Sequence, residues 1–183
     1  MAIDYDAITT IIALVSAIFA IVALFVESRR SRIVRQTDLL LRLDEKFYGP
    51  ENIKMRQNAA KKLLKEEFPN HELEDLLDSF STVAMLVEFK ALDMDLTYLL
   101  FEYWIIRYWY SAQKYVRESR RFDPETWSTL ERLFNKLVAK RSKRGQPLPS
   151  EEELLRFLKE EARVGLHACK PKKELNNMRR RRK

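Results

Sequence analysis

The sequence predicts an all-α fold, with one N-terminal transmembrane helix followed by a cytoplasmic helical bundle of about four to five helices. The first observation behind this prediction is an uncharged run over residues 7–26. The second is the composition, because only 3 glycines occur among 183 residues and 33% of the residues are charged, which favours long helices over turn-rich β structure. The third is that apolar residues recur downstream at helical spacing, with no alternating strand pattern.

The predicted transmembrane helix has the sequence AITTIIALVSAIFAIVALFV. Its 20 residues, at about 1.5 Å each, would cover about 30 Å, which is the thickness of the hydrocarbon core of a bilayer. A cleaved signal peptide is disfavoured because no basic residue precedes the run and no A-x-A pattern follows it. A buried helix of a soluble protein remains the alternative.

Arginines set the expected orientation of this helix. They follow the run directly, at Arg29, Arg30, Arg32 and Arg35, and no basic residue precedes it. The positive-inside rule places such a cluster on the cytoplasmic side. We therefore expect a single-pass protein of the bacterial inner (plasma) membrane, with its N-terminus outside and its domain in the cytoplasm.

Capping residues and helix breakers delimit the remaining helices. The membrane helix is expected to continue over 28–47, and a second helix to run over 50–68. Asn70 is the expected N-cap of a third helix, Asp93 that of an aromatic fourth helix over 94–121, and Asp123 that of a fifth. Ser150 and Glu153 predict a capping box for a last helix over 151–164. The predicted organisation is an anchor over 1–27, a bundle with its juxtamembrane helix over 28–142, a linker and short helix over 143–165, and a basic flexible tail over 166–183.

The net charge of +7 is concentrated in the tail. Eight basic residues lie there against Glu174, so residues 1–169 sum to zero. Such a cluster can contact anionic lipid or another polyanion, or it can be a solvated terminus without a task; nucleic acid is the less favoured partner. The residues of this candidate contact are Lys170, Lys172, Lys173, Arg179, Arg180, Arg181, Arg182 and Lys183.

Residues suited to catalysis are scarce. His71, His167 and Cys169 are the only histidines and cysteine, which leaves too few ligands for a typical zinc site and no rigid setting for a nucleophile with its base. Three glycines cannot build a phosphate-binding loop. We therefore expect no enzyme activity, no catalytic residue, no cofactor and no metal.

Four acidic residues near the junction of the third and fourth helices offer an alternative. Paired carboxylates can bind a metal or perform acid–base chemistry. The interpretation we favour is that Asp93 caps a helix and that the others are solvated or form ion pairs. The four residues are Glu88, Asp93, Asp95 and Glu102.

The aromatic fourth helix also has two interpretations. Its Tyr and Trp side chains are typical of a central core helix, with their polar atoms at partners or solvent. An aromatic surface left over would suit a protein partner, because Trp, Tyr and Arg are common anchors of interfaces. The candidate partner surface is formed by Trp104, Arg107 and Trp109.

Helices three and four carry a family resemblance. The segments are FSTVAMLV at 80–87, LDMD at 92–95, and YWIIRYW at 103–109, with Tyr98 and Phe101 between them. With these segments the chain resembles the bacterial family called domain of unknown function 4760, over about residues 8–115. The resemblance implies an N-terminal membrane helix followed by a helical segment, and it implies no activity.

These observations together predict a membrane-tethered interaction or regulatory module with an unknown protein partner. The alternative is a self-associating membrane effector, a homo-oligomer that acts through its transmembrane helix. Ala13, Ala17 and Ala20 share one face of that helix, and small residues allow helices to approach closely.

Overall fold

The computed structural model describes residues 5–163, with the backbone alone for residues 5–15, 32 and 33. The regular secondary structure of this part of the chain is all α-helix, without a strand. The all-α part of the fold prediction is therefore confirmed. The seven helices within it are α1 Tyr5–Phe47, α2 Pro50–Lys65, α3 His71–Glu88, α4 Met94–Ser111, α5 Gln113–Ser119, α6 Ser128–Lys143 and α7 Glu151–Glu161.

The predicted transmembrane helix is wrong. Among the described residues, no helix combines the length and the apolar character that crossing a bilayer requires. The single-pass topology, the outside N-terminus, the cytoplasmic domain and the inner-membrane location that depended on this helix are overturned with it.

The described chain forms two compact units, which divide within α1 between Leu43 and Asp44. The described part of the first unit is the helix alone. Local pairs stabilise it, for example Arg42 Nε with Asp38 Oδ2 at 3.0 Å one turn apart. The second unit contains the remaining helices and the packed core.

Helix α4 lies at the centre of the second unit, where it packs against α3, α6 and α7, while α2 packs against α3 and α7. Apolar side chains at helical spacing turn inward from each helix. The largest fully buried side chains include Trp109, Tyr108, Phe80, Leu73, Leu76, Leu77, Ile105, Ile106, Leu130 and Leu137.

Most predicted helix starts are present in the structure. Pro50 occupies the first turn of α2, and the Asn70 side chain accepts from the Leu73 amide at 3.1 Å. The Asp93 carboxylate accepts from the first amides of α4. Ser150 and Glu153 form the predicted capping box, because the side chain of each accepts from the backbone amide of the other.

The predicted fifth helix begins later than its sequence signal. The Asp123 carboxylate accepts from the Glu125 amide at 3.1 Å and from the Thr126 hydroxyl at 3.1 Å, so it closes a turn instead of capping a helix. Trp127 follows in the left-handed region with a φ of 56°. Its indole Nε1 donates to Asp78 Oδ1 of α3 at 2.7 Å, and this tertiary contact accompanies the shift of the helix start to Ser128.

The predicted fourth helix is divided in two. Helix α4 ends at Ser111, and α5 begins at Gln113 after the fully buried Ala112. No glycine or proline marks this break, so the sequence gives no local signal for it.

Candidate functional site

A buried arginine lies at the centre of the candidate site. Arg56 is on the same face of α2 as Ala59 and Ala60, three and four residues later, and both alanines are fully buried. This spacing turns the arginine side chain into the core, where it is 2% exposed. A buried charge is costly unless it is paired and hydrogen-bonded, so its surroundings decide what the site can do.

Aromatic rings surround the guanidinium. Its Cζ lies 4.3 Å from the centre of the Phe47 ring, 4.5 Å from that of Trp104 and 5.7 Å from that of Tyr48. These distances are within the range of cation–π attraction, which is strongest where water is excluded. Among the described residues, however, Arg56 Nε and Nη1 have no hydrogen-bond acceptor.

The negative charge comes from α7. Glu161 is 3% exposed, and its Oε2 lies 3.6 Å from Arg56 Nε. The Tyr108 hydroxyl of α4 donates to the same Oε2 at 2.8 Å. We call Arg56, Tyr108 and Glu161, with the rings of Phe47, Tyr48 and Trp104, the Arg56 site.

Both titratable acids of the site are perturbed by burial. Burial raises the pKa of the Glu161 carboxyl, and the charge of Arg56 only partly opposes this rise. Burial also raises the pKa of Tyr108 well above its ordinary value, and the neighbouring Glu161 charge adds to the effect. Perturbed groups mark candidate functional sites. In this site the Tyr108 hydroxyl donates to the Glu161 carboxylate, and the Arg56 guanidinium lies near the same oxygen.

An aromatic contact of Phe157, one helical turn before Glu161, also holds α7 against the Arg56 site. The Phe157 ring centre lies 5.0 Å from that of Tyr108, 5.8 Å from that of Tyr103 and 6.0 Å from that of Trp104. Gln57 Nε2 donates to the Ala162 carbonyl at 3.1 Å at the far end of the helix. Phe157 and Glu161 are four residues apart, so they project from the same face of α7.

The two helices that meet here carry opposite charge. Helix α2 holds five basic residues and one acidic residue, a net charge of +4. Helix α7 holds five acidic and two basic residues, a net charge of −3. Complementary charge of this kind sets which partner is accepted more than how tightly it is held.

The structure places the predicted partner-surface residues mainly inside the bundle. Trp104 is 9% exposed and belongs to the Arg56 site, and Trp109 is 2% exposed and packs on Phe134 at 5.7 Å. Arg107 is half-buried, with its Cζ 3.7 Å from the Tyr103 ring centre. Of the three predicted residues, Arg107 is therefore the accessible one, and it lies against the exposed ring of Tyr103.

The arginines predicted to orient a membrane helix lie along α1. Arg29, Arg30 and Arg35 are exposed, as are Ala17 and Ala20. The side chains of Arg32 and Ala13 are outside the described set, and so is the predicted tail with its eight basic residues, His167 and Cys169. Anionic-lipid contact by that tail therefore stays a prediction.

The four acidic residues near the α3–α4 junction are distributed over separate partners. Glu88 pairs with Arg132 at 3.1 Å, Asp95 with Lys140 and Glu102 with Arg141, while Asp93 caps α4. His71 is exposed and contacts Glu74. Among the residues whose side chains the structure describes, no group of His, Cys, Asp and Glu is arranged to hold a metal.

Sequence reasoning missed Arg56, Phe157 and Glu161 as site residues. A signal was available, because two charged residues occupy positions on otherwise apolar faces. Arg56 shares its face with Ala59 and Ala60, and Glu161 follows Phe157 and Leu158 at i+4 and i+3. A charge at such a position indicates a buried pair.

A comparison with known families assigns most of the chain to one family. The sequence matches the family described as Domain of unknown function (DUF4760) over residues 10–137, more than half of the 183 residues. The chain belongs to the DUF4760 family. The matched DUF4760 region includes α2 to α5 and ends within α6, so the linker and α7 lie outside it. Comparisons with curated proteins and with solved structures gave no match.

Proposed function

We propose that this DUF4760 domain is a protein-interaction module that binds an amphipathic helix on the face formed by α2 and α4. The observation that carries the proposal is the position of α7. This helix lies outside the family match, yet it buries Phe157 and Glu161 in the Arg56 site. An amphipathic helix held in a groove by spaced anchors is a recurring mode of recognition.

The contacts of α7 resemble those of a bound ligand. One aromatic anchor enters a group of rings, one carboxylate meets a buried cation, and the outward face of α7 stays exposed. Aromatic and arginine residues are frequent anchors at the centre of protein interfaces. A module of this kind acts by binding and requires no reaction centre.

Hydrogen–deuterium exchange tests the proposal on the full chain. Phe157→Ala removes the aromatic anchor of α7, at a cost of about 3 kcal/mol, and so opens the groove. A synthetic peptide with the sequence of residues 149–163 should then slow amide exchange in α2 and α4 and leave α6 unchanged. A peptide of the same composition in scrambled order is the control. Equal protection by both peptides, or protection by neither, would contradict the proposal.

A further inference from the structure

Helix α7 does not satisfy all the hydrogen-bond donors of the Arg56 guanidinium. Glu161 Oε2 lies 3.6 Å from Arg56 Nε, whereas a charge-assisted hydrogen bond measures about 2.7–2.9 Å. Nε and Nη1 have no acceptor among the described residues, although the side chain is almost fully buried. A buried donor without an acceptor weakens whatever arrangement contains it. A ligand that satisfies both donors would therefore bind this face better than α7 does.

The linker fixes where α7 begins. Arg141 Nε of α6 donates to the Pro147 carbonyl at 2.7 Å, and the Tyr98 hydroxyl donates to Gln146 Oε1 at 2.6 Å. The capping box at Ser150 follows directly. These contacts set the position of α7 along its own axis, and with it the distance from the Glu161 carboxylate to Arg56. A helix that is not joined to α6 has no such constraint.

The face also defines the chemistry of its ligand. The group of rings around Phe157 accepts an aromatic residue, and Arg56 lies one helical turn further along. The net charge of +4 on α2 favours an acidic helix and disfavours a basic one.

We propose that α7 is a replaceable internal occupant, and that the ligand of this face is an acidic amphipathic helix of a partner protein. This helix presents an aromatic residue and, four positions later, a glutamate whose two oxygens both bind Arg56. The inference rests on the proposed function and adds to it the identity of the ligand and the competition with α7.

Equilibrium binding of a labelled peptide tests this inference. The probe is a fluorescein-labelled peptide of residues 149–163, titrated with the full chain and followed by fluorescence anisotropy. It should bind the Phe157→Ala chain at least about ten-fold more tightly than the native chain, because a tethered α7 competes at an effective concentration near millimolar. Leu158→Ala weakens the packing of α7 through a different buried side chain. We call the Phe157→Ala and Leu158→Ala variants the opened chains. Circular dichroism checks that both variants are folded.

Changes in the peptide isolate the role of the carboxylate without affecting the fold of the chain. A Glu161→Gln peptide should bind an opened chain at least about ten-fold more weakly, since it leaves the buried arginine without a counter-charge. A Glu160→Gln peptide is the matched control, because Glu160 is exposed, and its affinity should change by less than about two-fold.

The outcomes separate the two proposals. If the native peptide binds neither opened chain, the helix-binding function itself fails. If it binds but the Glu161→Gln peptide binds equally well, the function stands and carboxylate recognition is overturned. Equal affinity for native and opened chains would overturn the competition with α7.

Discussion

Replacing Arg56 with methionine should destabilise the domain in a way that depends on pH. Methionine keeps much of the contact with the rings but leaves Glu161 buried without a cation. The carboxyl can then enter the core only in its neutral form. Its ordinary pKa is 4.5, so protonating it at pH 7 costs about 3.4 kcal/mol, at about 1.4 kcal/mol per pH unit. Because the pKa of Glu161 is already raised in the native fold, part of this cost is present there too, and we expect Arg56→Met to lower the free energy of unfolding by at most about 3 kcal/mol at pH 7.

The sign of the pH dependence follows from the direction of the pKa shift. The pKa of Glu161 is raised in the folded state, so the fold binds more protons than the unfolded chain above pH 4.5. The contribution of this group is fully present below that pH and is lost as the pH rises through the raised pKa. Arg56→Met removes the charge that opposes the rise and widens this window. At pH 5 protonation costs only about 0.7 kcal/mol, so the variant should lose about 1 kcal/mol there.

Urea unfolding followed by circular dichroism at both pH values measures these free energies. The double variant Arg56→Met with Glu161→Met replaces the pair by apolar side chains and should unfold within about 1 kcal/mol of the native protein. A loss for Arg56→Met that is the same at pH 5 and pH 7 would refute the reasoning. So would a double variant whose loss equals the sum of the losses of the single variants.

Three further predictions concern the rest of the domain. Ser150→Ala removes one half of the capping box and should cost about 1 kcal/mol, seen as roughly five-fold faster amide exchange in α7 with α3 unchanged. Tyr115→Phe should cost about 1 kcal/mol at pH 7, because the Tyr115 hydroxyl is the main cause of the lowered pKa of Glu74. That contribution is present above pH 4.5 and lost as the pH falls through the lowered pKa, so urea unfolding at pH 3 should show a smaller difference. Leu76→Ala, at a fully buried position, should cost about 2–5 kcal/mol in urea unfolding, whereas Leu99→Ala, at a half-exposed one, should stay within about 0.5 kcal/mol.

The starts of most helices could be predicted because their causes are local. Asn70, Asp93 and Ser150 each satisfy backbone amides within three residues, so the signal lies in a short stretch of sequence. Asp123 has the same signal but caps a turn. The helix after it begins later, next to the contact between Trp127 and Asp78, two residues that are 49 positions apart in the chain. Tertiary contacts of this range leave no trace in a short window.

The candidate site was harder to predict because its members come from distant parts of the chain. Tryptophan is common both in interfaces and in cores, so residue type alone does not assign Trp104 and Trp109 to either. Their packing in the folded bundle does. Arg56 and Glu161 are brought together only when α7 returns to α2.

The distance in sequence between Arg56 and its counter-charge has a consequence for how the chain folds. The contact between Gln57 and Ala162 closes a loop of 105 residues, and contacts of such long range form late. During synthesis, α2 to α6 emerge before α7 does, and segments made first begin to fold first. Of the described partners of Arg56, the rings of Phe47, Tyr48 and Trp104 belong to segments that are synthesised before α7. The Glu161 carboxylate is therefore the last of these partners to be made, and the site is complete only when α7 has been added.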